Sequence, residues 1–139
     1  MMHEEICTYE VCKLAKEKGF PQDPRKNDHC QMYCWDGLRN IHPLEMWVVW
    51  SMAEYNRDNL FAAPTQSLLQ RWLREEKGIT ICVDIFDDGW FFDISTFYKQ
   101  DTGIYEVDIP YKSSNASPVY DTYELALEDA LKYALENLV

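Results

Sequence analysis

Residues 79–98, ITICVDIFDDGWFFDISTFY, decide the fold. Ile79 to Ile85 alternates apolar and polar residues without a break, the pattern of a half-buried strand. Asp88–Gly89 then gives a strong two-residue hairpin signal. With Asp87 opposite Trp90, counting places Ile85 against Phe92, Val83 against Ile94, Ile81 against Thr96 and Ile79 against Tyr98. One side of the hairpin is then almost wholly apolar. A slip by one residue would scramble it, so the pattern selects the face.

The hairpin needs neighbours to be stable. Thr102–Gly103 reads as a second turn, leading into a strand from Ile104 to about Tyr111. Its register pairs Ile94 with Tyr111, Thr96 with Ile109 and Tyr98 with Val107. Lys99 would face Glu106, and Lys112 would face Asp93, which favours that register modestly.

Helices bracket the strands. APTQSLLQRWLREEKGI, residues 63–79, carries Thr65 as a cap, a stripe of Leu68, Leu69, Trp72 and Leu73, and Gly78 as the stop. Asp121 is placed to cap a last helix, with Glu124 reciprocating and Tyr120 against Leu125 as a staple. Tyr123, Leu127, Ala130, Leu131, Ala134 and Leu138 form its apolar face. The order helix-strand-strand-strand-helix predicts a two-layer α+β arrangement over 63–139. The double-stranded RNA-binding domain has this element order. Its basic RNA contacts do not follow, since Asp87, Asp88, Asp121 and Glu124 occupy the corresponding places.

The first 62 residues read as an addition to that core, within a single α+β domain spanning 1–139. A helix from Thr8 to Lys18 ends at Gly19, with Phe20 folding back. Gln31–Trp35 reads as a short strand before an Asp36–Gly37 turn. Ile41 to Arg57 is ambiguous: Pro43 suits a helix start, while Trp47–Val48–Val49–Trp50 suits a strand paired with Gln31–Trp35. Residues 21–29 and 110–119 read as loops.

Composition narrows the function. The 139 residues carry a net charge of −11. Seven basic residues against ten acidic ones give −3 before residue 64, and six against fourteen give −8 after it. Binding a polyanion relies on cationic side chains, so direct nucleic-acid binding is not expected. The longest apolar stretch, Met46–Val48–Val49–Trp50, is far too short to span a membrane. The acidic start, MMHEEICTYE, does not resemble an export signal, and five cysteines make an odd number. Reduced thiols in a cytoplasm are the expectation.

Three groups of residues invite chemistry. In the counted register Asp84 lies across from Asp93, a like-charge pair that a divalent metal or a shared proton would answer. Phe86, Phe91 and Phe97 share that face, and either the rest of the chain or a protein partner covers them. His3, Cys7, Cys12, His29, Cys30, Cys34 and His42 fall in the N-terminal part, although their C-x4-C and C-x3-C spacings are not those of zinc ribbons. No nucleophile motif or phosphate-cradling glycine loop occurs. No cofactor is expected, and catalysis is less expected than binding.

LAKEKGF at 14–20, the 63–79 segment and YDTYELALEDALKYALENL at 120–138 together resemble short, uncharacterised proteins encoded in phages, prophages and mobile elements of gut Bacteroides and relatives. The resemblance implies a small accessory protein of a bacterial or phage-infected cytosol and carries no catalytic residues with it. Three functions are therefore expected in turn. The first is a non-enzymatic, protein-binding accessory. The second is an acidic mimic of nucleic acid that inhibits a DNA-binding protein, and the third is a metal-dependent hydrolase using Asp84 and Asp93.

Overall fold

The computed structural model describes residues 5–22, 33–43, 60–86, 89–99, 101–103, 105–112 and 119–139. Most of the ambiguous 41–57 stretch and most of the two expected loops fall outside the described residues, as do Gln31, His3, His29, Cys30, Asp87 and Asp88. The class is mixed α+β, with three helices and two antiparallel sheets among the described residues. The chain groups into two compact units, residues 1–68 and 69–139.

In the first unit, α1 (Tyr9–Glu17) begins as expected, with Thr8 Oγ1 accepting the Val11 N–H. It ends at Gly19 (φ +99°), and the Phe20 N–H returns to the Ala15 carbonyl at 2.8 Å. That wrap buries Phe20. Three strands form a sheet in the order β2-β1-β3: β1 (Tyr33–Asp36), β2 (Ile41–Pro43) and β3 (Leu60–Ala63). β1 pairs with β2 as Cys34–His42 and Trp35–Ile41; the strand read at Trp47–Trp50 lies outside the described residues.

β3 is an addition to the expected elements. Phe61, Ala62 and Ala63 are all about 1% exposed. A strand buried on both sides shows no alternation, which is why LFAA carries no strand signal. The Gln22 side chain binds it, accepting the Ala62 N–H at 2.8 Å and donating to the Phe20 carbonyl at 2.9 Å. Residues 5–7 lie along 64–66, where the Cys7 N–H donates to Pro64 and the Gln66 N–H to Glu5.

α2 (Gln66–Lys77) buries Leu69, Trp72 and Leu73 as its spacing predicts, with Thr65 Oγ1 accepting the Leu68 N–H. In the second unit a meander of β4 (Ile79–Phe86), β5 (Gly89–Lys99) and β6 (Tyr105–Lys112) is followed by α3 (Tyr123–Asn137). α3 packs on β4 and β5, and Ile79, Ile81, Phe92 and Ile94 are buried. The apolar side of the hairpin is thus sealed toward the helix-covered end. At the turn end Ile85 stays 58% exposed.

The β4–β5 register differs from the count by two residues. Phe86 pairs with Gly89, Val83 with Phe92 and Ile81 with Ile94. Asp87–Asp88 therefore separates the strands, and Gly89 opens β5 instead of completing the turn. The reason lies at Gly89. A Cβ there would stand 2.8 Å from the Tyr120 carbonyl oxygen and 3.0 Å from Val119 Cβ. This glycine permits close approach of the segment before α3. Trp90 and Tyr120 then exchange two backbone hydrogen bonds, at 2.8 and 2.7 Å. A shift by two preserves the face, so the apolar side remains the apolar side.

β6 ends in the expected register, with Asp93–Lys112 and Ile94–Tyr111, while its earlier part is slipped by one residue, with Thr96–Asp108 and Phe97–Val107. Ile109 and Pro110 together oppose Ser95. Proline has no N–H to give the ladder, and a bulge on an edge strand accommodates it. The expected opposition of Lys99 and Glu106 is lost, and Lys99 pairs with Tyr105.

The last helix starts one residue later than expected. Thr122, not Asp121, is its cap and accepts the Leu125 N–H at 3.1 Å. The reciprocal Glu124 position and the Leu125 staple therefore do not form as read, and Leu125 is 54% exposed. Ala126 and Leu135 join Leu127, Ala130, Leu131 and Ala134 in the buried face, while Tyr123 stays outside with its ring edge-on to Trp90.

Candidate functional site

The acidic pair anticipated on the sheet does not face itself. Asp84 stands opposite Phe91, and Asp93 opposite Cys82. The two-residue shift makes them diagonal neighbours, and the Asp84 carboxylate takes the Ile85 N–H at 2.8 Å. One oxygen of Asp93, Oδ1, is buried without a hydrogen-bond partner. Among the described residues, however, no group of three or more His, Cys, Asp or Glu is placed to hold a metal ion. Phe91 and Phe97 are half-buried, and Phe86 closes β4 opposite Gly89.

Among the described residues the N-terminal cysteines are free thiols. Cys7, Cys12 and Cys34 are buried, and the Cys12 thiol donates to the Cys7 carbonyl. Cys34, Asp36 and His42 share one face of the first sheet, a set of residue types that invites a nucleophilic reading. The chemistry opposes it. Burial, reinforced by the nearby Asp36 charge, pushes the Cys34 thiol up to about 12. A thiol held protonated is a poor nucleophile.

Asp36 instead organises the β1–β2 turn. Its Oδ1 accepts the Leu38 and Asn40 N–H groups at 2.8 and 3.0 Å, and its Oδ2 meets His42 Nε2 at 2.7 Å. The His42 hydrogen bond, helped by those backbone donors and opposed by burial, holds the Asp36 carboxyl below the usual carboxylate range. A lowered carboxyl stabilises the fold above its unfolded value, near 3.8, and the benefit fades as pH falls through the lower folded value. Asp36→Asn is therefore expected to cost about 1 kcal/mol at neutral pH. The difference from wild type should shrink below pH 4, as followed by urea unfolding.

The same turn carries an unusual residue. Arg39 adopts a left-handed backbone (φ +65°), which is uncommon for any residue other than glycine. Arg39 sends its guanidinium back to α1, where it pairs with Glu10 and lies 4.3 Å from the Tyr9 ring centroid.

Beside this contact the first unit has a recess of about 470 Å³, lined by Glu5, Ile6, Cys7, Thr8, Tyr9, Trp35 and Ile41. The recess is shallow and open, a shape that suits a few side chains of a peptide more than an enclosed small ligand. The Tyr9 and Trp35 rings meet at 79° with centroids 6.1 Å apart. Trp35 Nε1–H is spent on the Cys7 carbonyl at 3.2 Å, which fixes the indole as a wall. Of the lining, Ile41 is 41% exposed; Leu38, on the turn between β1 and β2, is 83% exposed. No motif marks this set in the sequence, because the recess arises from pairing between segments thirty residues apart. The one local signal was the DGLRN turn, which announces a turn without saying what it presents.

No helix among the described residues is long and apolar enough to cross a membrane. The chain matches no protein-family model, no curated protein and no solved structure.

Proposed function

We propose that this chain is a non-enzymatic accessory protein of a phage or mobile element that works by binding another protein. The observation that carries the reading is the open recess of the first unit, with fixed aromatic walls and the exposed Ile41 in its lining, next to a β1–β2 turn that exposes Leu38. Exposed apolar groups beside a rigid aromatic pair suit a protein contact. The most catalytic-looking set in the described residues, Cys34 with Asp36 and His42, has a thiol in the wrong protonation state for attack.

Mimicry of nucleic acid draws less support. The outer faces of α2 and α3 mix signs, with Arg71 on Glu75 at 3.0 Å and Lys132 facing Glu136 at 4.0 Å. A phosphate-like track would need an unbroken run of one sign. For the binding reading, a tagged chain expressed in a Bacteroides host is expected to co-purify with one protein in near-stoichiometric amount. Turnover of a substrate that vanishes with Asp84→Asn or Asp93→Asn would contradict it.

A further inference from the structure

From the walls of the recess we infer that it receives the cationic side chain, arginine or lysine, of a basic peptide segment on the partner. This rests on the protein-binding reading above and names the partner's chemistry.

The sign of the ligand follows from what the walls have left to offer. No lining residue is basic. The Trp35 indole N–H and the Cys7 backbone N–H are both committed, to the Cys7 and Pro64 carbonyls. At the start of α1 Thr8 Oγ1 takes the Val11 N–H, and Glu10 adds a negative charge in the first turn that disfavours a second anion. An anion would therefore find little here. Glu5, by contrast, is the one acidic residue of the lining, and it is exposed. It sits with two aromatic rings held nearly at right angles, and aromatic faces attract cations.

The protein itself shows the recognition once. At the neighbouring position Arg39 stacks its guanidinium on Tyr9 while pairing with Glu10, one aromatic ring and one carboxylate for one cation. Trp35 and Glu5, which both line the open recess, supply the same two residue types for a cation from outside. The net charge of −11 would draw a basic segment toward the protein at low salt.

The test uses the full chain, labelled with 15N, and two capped tripeptides, Ac-Gly-Arg-Gly-amide and Ac-Gly-Glu-Gly-amide. The arginine peptide is expected to shift the Trp35 indole resonance saturably, and the glutamate peptide to leave it in place. Glu5→Gln, a surface change that leaves the core untouched, is expected to weaken the arginine peptide roughly two- to fivefold. Equal shifts from both peptides, no saturable shift, or full affinity in Glu5→Gln would each overturn the inference. The protein-binding reading is judged separately, by co-purification with the wild-type chain. Loss of the peptide effect with the partner still captured would remove the recess and leave that reading in place.

Discussion

Truncating Phe92 to alanine is expected to destabilise the protein by about 3–5 kcal/mol, the range for a buried aromatic whose cavity cannot fully close. Phe92 lies on the central strand of the meander, 1% exposed. It pairs with Val83, its ring stands 5.8 Å from that of Tyr120, and α3 packs on its strand. Neighbours on several sides are anchored by strand pairing, so the hole would persist. A domain of this size holds roughly 5–15 kcal/mol in all, so the variant would sit near the unfolding threshold. The control is Ile85→Ala on the same face, at the exposed end of β4. Its cost is expected below about 1 kcal/mol. Urea unfolding followed by tryptophan fluorescence reads both. Equal losses would mean that the apolar face is not sealed where α3 is placed.

Gly78→Ala is expected to cost about 2–4 kcal/mol, from backbone conformation and a clash acting together. Gly78 stops α2 with φ +65°, and a Cβ there would lie 2.5 Å from the Phe97 carbonyl oxygen. That oxygen belongs to backbone in a paired strand and cannot swing aside. Relief would require moving β5 away from residue 78, which would break the hydrogen bond from the Phe97 N–H to the Gly78 carbonyl at 2.9 Å. Gly19→Ala is the comparison. It too has positive φ, but a Cβ at residue 19 would meet nothing within 4 Å. It is expected to lose only the conformational part, about 1–2 kcal/mol. Thermal unfolding of the two variants side by side separates the clash from the dihedral cost.

The parts of the fold legible in the sequence are those specified locally. Thr8 with Gly19, and Thr65 with Gly78, mark their helices because capping and left-handed stops involve neighbours in the chain. The apolar face of β4 and β5 is legible because alternation is a local pattern. The register was not, since Asp88–Gly89 satisfies the hairpin rule while Gly89 serves a contact with Val119 and Tyr120, thirty residues away. One glycine answered two different demands, and only the three-dimensional structure tells them apart. The slip in β6 had a visible cause in Pro110, whose missing N–H argues for an edge strand and a bulge.

The candidate site was less legible still. Asp84 and Asp93 drew attention because two carboxylates on one strand face look like chemistry, and their opposition depended on a register that is off by two. Glu5, Trp35 and Ile41 carry no motif. Their shared recess depends on residues 5–7 lying along 64–66 and on a β1–β2 hairpin whose turn is tied by Asp36. β3, which completes that sheet, is silent in sequence because both its faces are buried.

The pairing of β4 with β5, and with it the sealed core, is open to one direct measurement. Trp90 gives both its backbone groups to Tyr120, and the Phe97 N–H bonds Gly78, so Ile81–Ile94 and Val83–Phe92 are the non-hydrogen-bonded pairs. In such pairs the α-carbons approach to about 4.5 Å, and their α-protons give strong nuclear Overhauser contacts. Strong α-proton contacts between Ile81 and Ile94 and between Val83 and Phe92 are the expected result. Contacts between Val83 and Ile94, or between Ile81 and Thr96, would contradict it and restore the face-to-face carboxylates.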